Sequence, residues 1–288
     1  MTIEVGGQAV IEGVMMKSPS WYAVAVRKEN GTIKLIKEHH ESIVKQKKWL
    51  NIPLLRGILY LYEMTVLGMK SLTWSANQQV SEQEEITALE LIITISISLL
   101  LSIGIFVVAP FFLTKLITSD TGFRFNAIDA VLRLIFFLGY VIIISLFNDV
   151  KRLFQYHGAE HKSVNCYEIG MNLTVQNVKK CSTLHPRCGT SFIVLVIALS
   201  AILFSFITSP LWYYKLGSRI VLIPLIAGIS YELLKLSARL KHHPIIRALI
   251  YPGMWVQKLT TREPDNKQIQ VAITAIKAAL REETRDRP

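Results

Sequence analysis

The sequence predicts an α-helical integral membrane protein with about four transmembrane helices, a small β-rich cytoplasmic N-terminal domain and amphipathic helices. Its 288 residues are 51% apolar, a share too high for a typical soluble domain, and the chain is long enough for several spans. The net charge of +11 comes from basic residues spread beside the apolar runs. This distribution indicates membrane orientation and argues against nucleic acid as a partner.

The N-terminal region, residues 1–50, has the pattern of short strands. Alternating segments at 22–28 and 32–37 flank an Asn-Gly pair, which is a strong hairpin signal. Ahead of them, three glycines surround Glu12, so a tight turn could present this acid to a functional site. A bulged strand with a solvated glutamate explains the same residues, and both interpretations stay open.

The rest of the chain divides by its apolar runs. Residues 53–80 predict an amphipathic or interfacial helix, because three charges interrupt an otherwise apolar stretch. Residues 89–236 predict a membrane domain of four spans, at 89–117, 127–147, 191–209 and 219–236.

Charge asymmetry predicts the topology of these spans. Lys and Arg concentrate in residues 1–85, in the polar interval 148–190 and in the tail 237–288, whereas the two short hairpin loops, 118–126 and 210–218, hold few. Both termini and the interval should therefore face the cytoplasm. The tail predicts an amphipathic helix that begins near Asp265 and docks on the N-terminal domain or on the membrane surface.

The polar interval contains a motif typical of metal sites. If the second span continues as one helix to a stop at Gly170, His157 and His161 leave the same face about 6 Å apart along the axis, as a shared metal ion requires. Glu160 lies one turn from His157 and could deprotonate a water at the metal. The order H-x-x-E-H is that of inverted zinc peptidases. Two interfacial histidines with a carboxylate partner are the alternative.

A second ligand pair follows in the same interval. His185 and Cys188 have the spacing H-x-x-C with a glycine next, which resembles one knuckle of a zinc site. The alternative is a proline-containing turn with a small buried cysteine. The odd number of cysteines favours reduced thiols that bind metal or are structural, which makes Cys166 a lower-ranked candidate.

Three further residues are weaker candidates. Glu168 shares the histidine face but lies about 10.5 Å past His161 along a helix, too far for the same ion unless the helix breaks. Glu232 has the downstream position from which inverted zinc peptidases take a third ligand, although an ion pair with Lys235 accounts for it equally. Arg187 suits an anionic group such as phosphate or carboxylate, or anchors the membrane interface.

The number of ligands decides what such a site does. Three ligands with a water beside Glu160 would make a hydrolase of a membrane-proximal amide or ester. Four ligands would close the site and make the metal structural, in a scaffold, channel or transporter-like protein. A third hypothesis, contact of the basic cytoplasmic face with RNA or ribosomes, would show steep salt dependence.

Four segments resemble one protein family. They are residues 6–16, 156–162, 185–191 and 259–264, and together they resemble DUF1385, an uncharacterised family of bacterial membrane proteins that is predicted to be a metal-dependent enzyme. The resemblance implies a multi-pass protein of the bacterial plasma (inner) membrane with a divalent metal, and the His/Cys ligands make zinc the expected ion. The expected partners are the lipid bilayer, a substrate of unknown identity and a second copy of the chain.

Overall fold

The computed structural model describes residues 3–79, 87–120, 122–207, 209–239 and 243–285. Within these ranges the chain is mostly helical, and a four-stranded antiparallel sheet lies at its N-terminal end. The helices are α1 (Ile43–Gln46), α2 (Leu55–Asn77), α3 (Ala88–Ile103), α4 (Ala109–Ile117), α5 (Phe123–Ile144), α6 (Asn148–Glu168), α7 (Val175–Lys180), α8 (Gly189–Ser205), α9 (Trp212–Arg239), α10 (Pro244–Thr260) and α11 (Asn266–Arg285).

The sheet is a meander of four neighbouring strands, which confirms the predicted β-rich N-terminal region. Its strands are β1 (Gly6–Val10), β2 (Gly13–Lys17), β3 (Trp21–Arg27) and β4 (Ile33–His39). The predicted hairpin joins β3 to β4, and Gly31 in its turn has a φ of +83°, a conformation that glycine adopts without strain.

Both faces of the sheet are covered. Alternate residues of the central strands β2 and β3 pack on α11 and α6 on one face, and their neighbours pack on α2 on the other. The central strands are therefore apolar on both sides, as buried strands are. Helix α11 begins with a reciprocal pair of hydrogen bonds between Asp265 and Gln268, of 2.9 and 2.7 Å, which satisfies its first amide groups.

Two helical segments are long and apolar enough to cross a membrane, Ile92–Ile117 and Phe123–Ile144. Only 6% and 11% of the most apolar 18 residues of each are buried, whereas the core helix of a soluble protein is mostly buried. This supports association with a membrane. The first segment contains a π-helical turn, Gly104–Val108, just before Pro110, where such a turn relieves the missing amide.

The predicted count of four spans is not confirmed. The third predicted span forms α8, whose 17 residues are short for a span, and the fourth lies in α9, which carries Lys215 and Arg219 near its start. Helices α8 and α9 pack against one another, and α8 also packs on α5 and α10. The count therefore stays a prediction.

Two further differences concern helix boundaries. The second predicted span does not continue through the motif, because α5 ends at Ile144 and α6 begins at Asn148. The predicted stop is confirmed, since α6 ends before Gly170, whose φ is +75°. Helix α10 was not predicted at all: it contains Pro252 next to Gly253, and its packing on α8 outweighs these poor helix formers.

Candidate metal centre

Helix α6 carries the first half of the centre. His157 and His161 are one turn apart on it, with ring centroids 4.4 Å from one another. His161 is buried and His157 half-buried. The helix is held here by close packing of the α10–α11 connection: a Cβ on Gly158 would lie 2.0 Å from the carbonyl oxygen of Arg262. Only glycine allows this approach, and it brings the end of α10 over the two histidines.

Each histidine ring is oriented by a backbone carbonyl. His157 Nδ1 lies 2.9 Å from the oxygen of Thr260, and His161 Nδ1 lies 2.5 Å from the oxygen of Thr183. A carbonyl oxygen only accepts, so both rings hold the proton on Nδ1 and leave the Nε2 lone pair for a ligand. Asn165 fixes the second carbonyl by donating to the flanking oxygens of Ser182 and Leu184, at 2.8 and 3.0 Å.

Cys188 completes the cluster. It caps the N-terminus of α8, and its Sγ lies 3.3 Å from His157 Nε2. Ligand atoms of Cys188, His157 and His161 all lie within 4.8 Å of one another. Two ligands of one tetrahedral zinc ion are about 3.5 Å apart, given bonds of about 2.0–2.3 Å. The three residues could therefore hold one metal ion.

A carboxylate lies beside this cluster. Glu160 is 5% exposed, and its Oε2 lies 3.4 Å from His161 Nε2. It is not one of the three clustered ligands. Of the four predicted ligands, the fold brings together His157, His161 and Cys188, with the predicted base Glu160 beside them.

His185 lies next to the cluster but outside it. Its ring centroid is 5.8 Å from that of His161, and its backbone is held by Gln257, which accepts from its N–H at 2.9 Å and donates to its carbonyl at 2.8 Å. His185 Nε2 is buried and has no hydrogen-bond partner among the described residues. It lies 3.6 Å from Glu168, which also forms an ion pair with Arg187.

Cys166 lies in a different part of the interval. It is fully buried with Cys181 in a small apolar cluster between α6, α7 and α11. Burial, and second the neighbouring Cys181, raise the pKa of the Cys166 thiol to about 11. The thiol is therefore protonated at neutral pH and is a poor metal ligand.

The remaining candidates form ion pairs elsewhere. Glu12 is presented from the β1–β2 turn at a φ of 52°, and its carboxylate pairs with Arg152 and accepts from the Tyr156 hydroxyl at 3.3 Å. This contact fixes the turn to the first half of α6. Glu232 pairs with Arg56 on α2 at 2.5 Å, not with Lys235 as the alternative interpretation had it.

Sequence reasoning missed the residues that support the ligands. Gln257, which is fully buried, joins His185 to Ser191 through side-chain hydrogen bonds. It lies in α10, the helix that was not predicted. Thr183 and Thr260 act through their carbonyls, and no side-chain pattern marks a residue for that role.

The comparisons place the centre within a family. The family model described as "Protein of unknown function (DUF1385)" matches residues 52–282. The chain is 38% identical over 298 residues to "Uncharacterized protein YqhQ" of Bacillus subtilis (strain 168), an alignment that covers 96% of this chain and 92% of the relative. No solved structure matches the chain. All three clustered ligands fall inside the range matched by the family.

Proposed function

We propose that this chain, which belongs to the DUF1385 family, is a zinc-dependent hydrolase of a membrane-proximal amide or ester. The proposal is drawn from the geometry of the metal centre. The observation that carries the proposal is the combination of three clustered ligand atoms with one buried carboxylate beside them. Three protein ligands leave a coordination position for a water, as hydrolytic zinc sites require.

The donor set favours zinc. Two imidazoles and a thiolate suit a borderline-soft ion, whereas calcium and magnesium take oxygen ligands. A bound zinc ion would act as a Lewis acid and lower the pKa of a water to near neutrality. The chain supplies the orientation: the carbonyls of Thr260 and Thr183 hold the two rings, and His157 Nε2 lies 3.3 Å from Cys188 Sγ.

Glu160 is the proposed general base. Its carboxylate is buried within contact distance of His161, so it can accept a proton from a water at the centre and pass it to the leaving group. Its position on α6, one turn after the ligand His157, places it on the same side of the helix as that ligand.

A second candidate is a structural metal in a scaffold, channel or transporter-like protein. One observation favours it: the buried ring of His185 lies beside that of His161, with its Nδ1 accepting from the Arg187 N–H at 3.4 Å and its Nε2 3.6 Å from the Glu168 carboxylate. A change of rotamer that brought one of its ring nitrogens to the metal would give four protein ligands and close the site.

We further propose a multi-pass protein of the bacterial inner membrane, with four spans, both termini in the cytoplasm and the centre on the cytoplasmic side. The two exposed apolar helices support the membrane, and the Lys/Arg asymmetry of the loops supports the orientation.

The test is Glu160→Gln, with metal content and hydrolysis measured on the same zinc-loaded preparation against fatty-acid aryl esters and anilides. We expect unchanged metal content and a kcat about 10²–10⁴ lower, the contribution of a general base. Asp149→Asn removes an exposed acid of the same helix and should keep both properties. Hydrolysis by Glu160→Gln at the wild-type rate, or none by the zinc-loaded wild type, would refute the hydrolase.

A further inference from the structure

We propose that the substrate is an amphiphile with one acyl chain and an anionic head group, and that its chain lies in an apolar groove between α5, α8 and α10. This inference rests on the proposed hydrolase and names its substrate class. The groove, called the acyl groove below, is lined by Leu134, Leu138, Val194, Tyr251, Trp255 and Val256.

The acyl groove has the size and chemistry of a ligand site. Its volume is about 390 Å³, within the range of small-molecule sites, and its lining is almost wholly apolar. Tyr251 and Trp255 stand at its edge, 56% and 62% exposed. Aromatic rings with a polar edge are enriched where a protein meets the boundary between acyl chains and head groups.

The position of the acyl groove indicates what fills it. One wall is α5, a helix long and apolar enough to cross a membrane. Only 11% of its most apolar 18 residues are buried. An open apolar groove on such a helix faces the acyl chains of the bilayer. A lipid chain can enter it from the membrane without passing through water.

Two helices connect the acyl groove to the metal centre. Val194 is six residues past Cys188 on α8, and Val256 is four residues before Thr260 on α10, which are separations of about 9 and 6 Å along the helix axes. The helices cannot shift apart easily, since Gly253 packs directly on Ser191. A chain in the groove would hold its polar end within reach of the centre.

The negative charge of the proposed head group is inferred from a nearby cation, Lys258. Lys258 lies one turn beyond Trp255 toward the centre, with its Nζ 5.4 Å from the Trp255 ring centroid. It forms no ion pair with the residues that the structure describes. An exposed cation beside the aromatic edge of an apolar groove complements a phosphate or carboxylate next to an acyl chain.

The binding test uses palmitate with a photoactivatable diazirine and the full chain in nanodiscs of zwitterionic lipid. We expect cross-links on α5, α8 and α10 at the groove residues, displaced by excess palmitate and not by butyrate or hexadecylamine. Val194→Trp fills the groove and should lower labelling about tenfold. Ile143→Trp, at a residue of α5 that is 60% exposed and lies on the side of the helix opposite Leu134 and Leu138, is the matched control and should leave labelling unchanged.

Several outcomes would overturn the acyl groove. Equal labelling around the whole surface of α5, or equal displacement by hexadecylamine, would mean that the palmitate reports bulk lipid. A dimer in the nanodiscs that is lost in Val194→Trp, with no palmitate labelling of the groove, would mean that a second copy occupies it. Labelling of Val194→Trp at the wild-type level would show that the chain binds elsewhere.

A second measurement separates this inference from the hydrolase. Aryl esters of butyrate and palmitate are compared in wild type and Val194→Trp. The inference predicts a wild-type preference for palmitate of about tenfold or more, lost in Val194→Trp while butyrate hydrolysis is kept. Equal hydrolysis of both esters by the wild type refutes the groove and leaves the hydrolase standing. Groove labelling without hydrolysis of either ester refutes the hydrolase alone.

Discussion

At the scale of single residues, the centre depends on atoms that orient the ligands. His157 and His161 are each set by a backbone carbonyl, and Cys188 is set by its place as a helix cap. An imidazole whose Nδ1–H is bound to a carbonyl presents its Nε2 in one tautomer and one direction. This preorganisation lowers the cost of ordering the ligands around an ion.

The thiols give a prediction that depends on metal removal. With zinc bound, Cys188 should resist alkylation by iodoacetamide at pH 8, because a thiolate coordinated to the metal is not available as a nucleophile. Removal of the zinc by a chelator should raise the alkylation rate at least about tenfold. Cys166 should not change on chelation. Its pKa of about 11 leaves about one thiol in a thousand ionised at pH 8, so its rate should rise steadily toward pH 11. Mass spectrometry of tryptic peptides measures both.

Equal rates for Cys188 with and without chelator, in protein shown to have contained zinc, would exclude it as a ligand. The pH profile is an internal control, since a Cys166 that alkylates rapidly at pH 8 would mean that the chain had opened.

At the scale of elements, the sequence predicted the strands, the motif helix and the tail helix, because each carries a local signal. The hairpin has its Asn-Gly turn, α6 has a glycine stop, and α11 has a start at Asp265. The break between α5 and α6 was not predictable, since residues 145–147 contain neither proline nor glycine. Helix α10 forms through tertiary packing, so its sequence alone does not indicate it.

The residues of the candidate site divide in the same way: those with a local sequence signal were predicted, and those without one were not. His157, His161 and Cys188 were identified from residue type and spacing, and the structure brings them together. His185 was given equal rank, yet its ring lies outside the cluster, because the spacing H-x-x-C does not fix where the histidine side chain points. Gln257 had no signal, as its partners are 66 and 72 residues away.

Gly158→Ala tests the close approach of the α10–α11 connection to α6. Alanine normally stabilises a helix by about 1 kcal/mol relative to glycine. Here its Cβ would meet the Arg262 carbonyl, so we expect a lower thermal midpoint and a loss of bound zinc as Thr260 moves from His157. Gly139→Ala in α5, where an added Cβ would meet no neighbouring element of the described chain within 4 Å, is the matched control and should be neutral or stabilising. Unchanged zinc and midpoint in Gly158→Ala would contradict the packing.

At the scale of the whole molecule, a charged network joins the apolar helices. Asp129 on α5 accepts from Arg133 at 3.0 Å and from Arg219 on α9 at 3.2 Å, and Arg219 is fully buried. Its guanidinium also lies 5.0 Å from the ring centroids of Phe111 and Phe204. The network joins α5 to α9 among buried apolar side chains, where an unpaired charge lowers the stability of the protein.

Asp129→Ala should therefore destabilise the protein strongly. It leaves the buried Arg219 and the half-buried Arg133 without their shared carboxylate, and removal of one partner of a buried ion pair costs about 3–5 kcal/mol. Lys70→Ala breaks an ion pair whose side chains are 59% and 41% exposed, and should cost about 1 kcal/mol or less. Thermal unfolding in detergent compares the two, and equal midpoints would show that the network contributes nothing.

Membrane association is predicted from the two exposed apolar helices. The chain should stay in the membrane pellet after extraction with alkaline carbonate, because about 20 consecutive apolar residues insert stably in a bilayer. A variant with Leu100→Arg and Ile135→Arg, one charge in each segment, should be released or degraded. Release of the wild-type chain by carbonate would contradict the assignment.

The metal centre is tested most directly by zinc stoichiometry, measured by elemental mass spectrometry on the purified full chain. We expect one zinc ion per chain in the wild type and a near-complete loss in the double variant His157→Ala/His161→Ala. The double variant His39→Ala/His40→Ala, which removes two histidines outside the cluster, should keep its zinc. A wild-type protein without metal, or metal that persists in His157→Ala/His161→Ala, would contradict the centre.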